Sequence, residues 1–307
     1  MSTSGLRLVN VLALQTGAGT PSIRDNVAAM IDQIREACRG ERPDLVALPE
    51  LCTSPYFCGT GEKKYLDWAE PIPGPTTEAF GTLARELRIN LVVGMFERGG
   101  GRGEFYNSAV VIDRNGDVVR GALPDGATVR AYRKTHVADL LTNDDGSPGS
   151  NEKYYFRPGP GLPTFPLDCC RIGCLICYDR SFPEAWRVLA LHGADIVVIP
   201  TASYRGGRSD TYLFEVQTAC LQNACFAVAV NKGGLEDCLE AKRHFFGTSG
   251  IVNPMGEVIA QGPVRQGPAA LRAAIDLAQI DRHMLHYNFF RDRRPEIYAS
   301  ILKTVVD

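Results

Sequence analysis

Residues 172–199 read IGCLICYDRSFPEAWRVLALHGADIVVI. The first six residues form a continuous apolar run of the kind found in a buried strand. Ser181 then offers a helix cap and Pro183 falls in a first turn, which predicts a helix over 182–192 closed by Gly193. A second apolar run follows at 196–199. Strand, helix and strand in so short a stretch make the repeating unit of an α/β fold.

The same pattern recurs on both sides. Upstream, a strand over 6–14 precedes a helix in which Ile23, Val27, Met30, Ile31, Ile34 and Cys38 return at helical spacing, started by Thr20, Pro21 and Ser22 and stopped by Gly40. A buried strand over 44–48 delivers Pro49 and Glu50 at its end. A helix over 75–88, opened by Pro75 and Thr76, leads to the apolar strand 91–96. Downstream, a helix near 210–223 leads to a strand over 226–230, and 271–275 is the last strand. Asn115-Gly116, between 107–112 and 117–120, and Pro254-Met255-Gly256 read as hairpin turns, so the sheets must include antiparallel pairs. Residues 121–130 and 138–163, rich in Gly, Pro, Asp and Ser, read as long loops serving a site or an interface. No linker, composition shift or repeat divides the chain. The expected architecture is one domain over 1–307: two mixed sheets face to face with helices outside, a four-layer α-β-β-α sandwich. The aromatic and basic tail 281–307 is expected at an interface.

Composition narrows the function. Among 307 residues, 33 Lys and Arg stand against 35 Asp and Glu, so no positive excess is available for a nucleic-acid backbone. Apolar residues at 45% and charged residues at 22% fit a globular domain rather than a disordered or fibrous chain. Ten cysteines in a chain of this size are too sparse for a disulfide-built scaffold, and no segment is long and apolar enough to span a bilayer. Free thiols and a cytoplasmic location, with no membrane partner, are expected.

Cys177 ends an apolar run and precedes a helix start, a place where ligands of α/β proteins bind and where a helix N-terminus favours a thiolate. Glu50 ends another buried strand, where a partly desolvated carboxylate can serve as a general base. Lys134 lies in Tyr132-Arg133-Lys134-Thr135-His136. Each residue alone has a bland reading: a buried thiol, a solvated carboxylate, a surface cation.

Together, Pro49-Glu50, Tyr132-Arg133-Lys134-Thr135-His136 and Cys177-Tyr178-Asp179-Arg180 with Pro183-Glu184 resemble, in order and spacing, the motifs of the nitrilase or carbon-nitrogen hydrolase superfamily. The resemblance spans about residues 6–300. It implies the α-β-β-α sandwich and a Glu-Lys-Cys triad at Glu50, Lys134 and Cys177, with Glu152 of Asn151-Glu152-Lys153-Tyr154-Tyr155-Phe156-Arg157-Pro158-Gly159 as a second glutamate that orients substrate or holds Lys134. The implied chemistry is attack of the Cys177 sulfur on an amide, ureido or nitrile carbon, with Lys134 and the Tyr178 backbone N–H stabilising the oxyanion. It needs no metal and no organic cofactor. Homologues that pair through their helices imply a homodimer or higher homo-oligomer.

The residues after Cys177 resemble those of amidases acting on N-carbamoyl compounds. N-Carbamoyl-D-amino-acid hydrolases carry two arginines after the aspartate, whereas here Arg180 is followed by Ser181. The tail Phe290-Arg291-Asp292-Arg293-Arg294-Pro295 instead resembles N-carbamoylputrescine amidases, which have Trp-Asp-Gln after the cysteine. A guanidinium near the nucleophile suits a carboxylate, so Arg180 favours an N-carbamoyl amino acid. His136 and Thr201 are further candidates to line the pocket. Two other readings compete: a redox or metal site at Cys174-Leu175-Ile176-Cys177, disfavoured because strand residues three apart face opposite ways, and a silent binding protein on the same fold, disfavoured because Glu, Lys and Cys are all present.

Overall fold

The structure is a computed structural model that describes residues 6–142, 148–204 and 209–304. Alternation along the strands builds its layers. In Leu8–Gln15, Val9, Val11 and Ala13 face one hydrophobic core while Leu12 and Leu14 face another. In Leu45–Ala47 and the residue after it, Leu45 and Ala47 divide from Val46 and Leu48 in the same way. Ile196, Val198, Phe226 and Val228 join the first core, whereas Val197, Ile199, Ala227 and Ala229 join a third. A period of two therefore buries both faces of both sheets. The shared core lies between the sheets, and each outer core lies under helices.

The first sheet runs, in spatial order, Ala269–Asp276, Leu8–Gln15, Leu45–Ala47, Asn90–Arg98, Phe105–Ile112 and Tyr132–Arg133. The second runs Val258–Gln261, Gly250–Val252, Phe226–Val230, Ile196–Pro200, Arg171–Cys174, Thr164–Pro166, Gly121–Ala122 and Thr128–Val129. Both are mixed: the central strands pair in parallel and the flanking ones antiparallel. Helices Ile23–Ala37 and Pro75–Leu87 cover the first sheet, and Pro183–Leu191 and Tyr212–Asn223 the second. Ser22 caps the first helix, its Oγ accepting from the Asp25 N–H at 3.3 Å. The result is the expected α-β-β-α sandwich.

Several local expectations change. The strand expected over 172–177 stops at Cys174, and Cys177–Ser181 form a 3-10 turn. Ser181 belongs to that turn, so Phe182 and not Ser181 precedes the helix Pro183–Leu191. Residues 117–120 make one bridge, Ile112 with Val118, rather than a strand, because the chain leaves there for the second sheet. The long loops contain a short ribbon, Asp139–Thr142 with Pro148–Asn151, and the helix Glu152–Tyr155. The tail begins with an unforeseen helix, Ala278–Tyr287, and exposes Leu285, Ile297, Ile301 and Leu302. Among the described residues no helix is long and apolar enough to cross a membrane. All ten cysteines are free.

Candidate active site

Parallel strands of the two sheets end on the same side of the sandwich. Glu50 follows Leu45–Ala47 in the first sheet, while Cys177 follows Arg171–Cys174 and Thr201 follows Ile196–Pro200 in the second. At two of these exits the backbone turns sharply through left-handed residues: Leu51 has φ 45° and Cys177 itself φ 51°. Non-glycine residues rarely hold that conformation, and it occurs where surroundings enforce it for function. Gly94 lets the strand Asn90–Arg98 pass against the first exit. A Cβ there would lie 2.2 Å from the Pro49 carbonyl oxygen and 2.8 Å from Glu50 Cα.

Lys134 follows Tyr132–Arg133, its N–H donating to the Asn107 carbonyl at 2.8 Å. Its ammonium bridges two carboxylates. Nζ lies 2.9 Å from Glu50 Oε1 and 2.8 Å from Glu152, which opens the helix Glu152–Tyr155. The other donors to Glu50 are Asn107 Nδ2 at 2.7 Å on Oε1 and the Ala202 N–H at 2.8 Å on Oε2. Glu152 also accepts from the Tyr56 hydroxyl at 3.1 Å and the Ala138 N–H at 3.2 Å. Glu50, Lys134 and Glu152 are all buried. Burial alone would strip the charge from Lys134, but Glu152 and Glu50 outweigh it and hold its pKa well above the usual lysine range. Burial pushes Glu152 upward against the opposing pull of Lys134.

The Cys177 sulfur is 3.2 Å from Ser203 Oγ and 4.0 Å from Arg180 Nη1. Burial first, and the Glu50 charge second, push its pKa up to about 11, with Lys134 and Arg180 pulling the other way. Sequence reasoning expected a helix N-terminus to favour the thiolate. Instead the helix starts six residues later, and desolvation dominates. Burial thus works against the thiolate, and attack by this sulfur calls for a base.

The remaining sequence candidates are Arg180, Thr201, His136 and Tyr178. Arg180 is almost wholly buried: Nε lies 3.2 Å from Glu215, Nη1 donates to the Cys177 carbonyl at 2.7 Å, and the guanidinium covers the Tyr212 ring at 4.7 Å. Its ion pair is with Glu215 rather than with Asp179 or Glu184. A guanidinium so engaged braces the turn that carries Cys177. Thr201 is fully buried, donating to the Ile199 carbonyl at 3.1 Å and accepting from Tyr212. His136 stacks on Phe182 with ring centroids 3.7 Å apart and shares a 2.8 Å contact through Nδ1 with Asp179. Tyr178 is half-buried on the Cys177 turn, edge-on to Phe182.

Asp179 was not singled out, yet it links the two halves of the site. It accepts from Tyr132 Oη at 2.6 Å, Thr135 Oγ1 at 3.0 Å, the His136 N–H at 2.8 Å and the Ile176 N–H at 3.0 Å. One buried carboxylate thus ties the segment bearing Lys134 to the turn bearing Cys177. Asn107, Tyr56 and Ser203 were missed as well. Only Asp179 had a local signal, lying two residues from Cys177 inside the same motif.

Known proteins resemble this chain along nearly its whole length. The carbon-nitrogen hydrolase family profile matches residues 11–283. The chain is 33% identical to the N-carbamoylputrescine amidase of Solanum lycopersicum, over 96% of this chain and 95% of that protein. It is 32% identical to the citrullinase of Francisella tularensis, over 91% and 93%. A carbon-nitrogen hydrolase from Helicobacter pylori superposes with a TM-score of 0.86 at 26% identity, covering 97% of this chain and all of that one. The chain therefore belongs to the carbon-nitrogen hydrolase family, enzymes of the nitrilase superfamily.

Proposed function

We propose that Glu50, Lys134 and Cys177 act together as base, oxyanion partner and nucleophile on a terminal ureido group, R–NH–CO–NH2. The observation carrying this reading is the single ammonium held between Glu50 and Glu152, close enough to the Cys177 sulfur for all three charges to act on it. Glu50 takes the Cys177 proton as the sulfur attacks the ureido carbon. Lys134 and the Tyr178 N–H face the developing oxyanion, where loss of one donor costs about 10²- to 10³-fold in rate. Ammonia or an amine leaves with the transferred proton, and water, activated by Glu50, releases the thioester-type intermediate. The overall products are amine, carbon dioxide and ammonia. Glu152, braced by Tyr56, keeps Lys134 in place.

The tail of the substrate is read from two observations. Arg180 already engages Glu215 and the Cys177 carbonyl, which weakens the case for a substrate carboxylate beside the sulfur. The tomato relative is named for N-carbamoylputrescine and the Francisella relative for citrulline, both ureido groups on an alkyl chain. We infer an N-carbamoyl alkylamine as the preferred substrate, ahead of N-carbamoyl α-amino acids, plain ω-amides and nitriles. The test is ammonia release from N-carbamoylputrescine, citrulline, N-carbamoyl-D- and L-amino acids, N-carbamoyl-β-alanine, simple amides and nitriles at equal concentration. The expected order of kcat/KM puts N-carbamoylputrescine first. Activity confined to N-carbamoyl α-amino acids overturns the tail assignment, and activity on amides alone overturns the ureido assignment.

A further inference from the structure

Cys169 and Cys170 lie at the tip of the hairpin joining Thr164–Pro166 to Arg171–Cys174. Pro166 pairs with Arg171, and the Leu167 N–H donates to the Cys170 carbonyl at 2.8 Å. Neighbouring residues of a strand point to opposite faces, so adjacent sulfurs meet only where the backbone turns. Here it does, and the sulfurs are 3.6 Å apart. Cys169 is partly exposed and Cys170 lies beneath it, 6% exposed. The hydrogen bond between them holds Cys169 below the ordinary thiol range and Cys170 above it. Asn90 Nδ2 lies 3.6 Å from the Cys169 sulfur and 3.2 Å from Asp168, which pairs with Arg114 at 2.9 Å.

We propose that Cys169 and Cys170 form a dithiol binding site for a trivalent thiophilic centre of the organoarsenical class, bridged between the two sulfurs. The separation suits this chemistry. One atom bonded to both sulfurs at about 2.3 Å, the length of a Zn–S bond, with an angle between about 90° and 110°, spans roughly 3.3–3.8 Å. A disulfide would need about 2.0 Å, inside a small ring containing a rigid peptide. A closed zinc site would need further ligands, and among the described residues no group of three or more His, Cys, Asp or Glu is placed to hold a metal. The other cysteine pair in contact, Cys220 with Cys225, is wholly buried.

The step balances as R–As=O plus two thiols giving R–As(S–)2 plus water. Two As–S bonds form, the As–O bond breaks, and both thiol protons leave in the water. No oxidant is consumed. Cys170 directly precedes Arg171–Cys174 and the neighbouring Asp44 directly precedes Leu45–Ala47, while Cys177 and Glu50 lie past the opposite ends of those same two strands. Loading the dithiol is therefore expected to leave hydrolysis unchanged.

Phenylarsine oxide titrated into the intact protein is the test, read by intact mass and by thiol count after denaturation. The expected result is one arsenical per chain, two thiols lost, unchanged ammonia release, and reversal by 2,3-dimercaptopropanol but not by a monothiol. Cys169→Ser, at the partly exposed tip, should weaken binding by about 10²-fold as the second, intramolecular bond is lost, and Cys170→Ser should match it. Undiminished binding to Cys169→Ser, or activity falling in step with loading, overturns the assignment. The latter outcome would place the arsenical at Cys177.

Discussion

Lys134 is the residue on which the site balances. Its ammonium offsets two buried carboxylates, so removing it costs more than a hydrogen bond. Lys134→Met should lose about 3–5 kcal/mol in chemical denaturation, because it leaves uncompensated buried charge. A double change of Lys134→Met with Glu152→Gln should recover part of that stability while staying inactive. A single Lys134→Met as stable as the parent would show that the carboxylates are not held as described. At this scale the sequence was partly legible. Glu50, Lys134, Glu152 and Cys177 sit in local patterns, whereas Asn107 and Tyr56 reach the site from strand and loop positions that look ordinary along the chain. The partner of Arg180 was not legible either, since Glu215 lies on a different helix, 35 residues away in sequence.

At the scale of elements, regular structure was legible wherever a period was long enough to count. The helices Ile23–Ala37 and Pro75–Leu87 and the strand Phe226–Val230 fall close to where spacing put them. The strand ends did not, since apolar residues continue past Cys174 while the ladder stops, and no hydrophobic pattern records the left-handed turn at Cys177. Gly94 shows how one element sets another's position. Its missing side chain lets Asn90–Arg98 lie against Pro49 and Glu50, and the Cys52 N–H donates to the Gly94 carbonyl at 3.0 Å. Gly94→Ala must push the strand or the Glu50 exit aside. Overpacking of this kind costs about 1–3 kcal/mol, and a 1 Å displacement of a reacting group about 10²-fold in rate. Thermal denaturation and kcat read the two effects separately. Full activity in the Gly94→Ala variant would mean that the contact does not set the position of Glu50.

For the molecule as a whole, the sandwich makes the protein sensitive to alkali. Burial raises the pKa of Cys52 and Tyr212 to about 12 and of Cys177 to about 11, and pushes Cys58 and Cys174 up as well. An unfolded thiol titrates near 9.0, so above that pH the unfolded chain holds fewer protons than the folded one. The stability is complete below pH 9 and is lost as pH rises through 11 to 12. Each such thiol contributes a slope of about 1.4 kcal/mol per pH unit. The melting temperature should hold steady from pH 7 to 9 and fall steeply beyond, and a flat profile to pH 11 would contradict the burial of these thiols. Fold class was legible at this scale because continuous apolar runs alternating with helical spacing leave little choice but sheets buried on both faces. Strand order was not, since it depends on pairings far apart in sequence, such as Leu8–Gln15 with Ala269–Asp276.

The carboxylate of Asp179 has a consequence for how the enzyme fails. It fastens a short edge segment of one sheet to a bend in the other, so neither can loosen without freeing its counterpart. Local opening there would separate the ammonium from the sulfur in one event, so catalytic competence should vanish as a unit rather than fade, well before the two outer hydrophobic layers come apart.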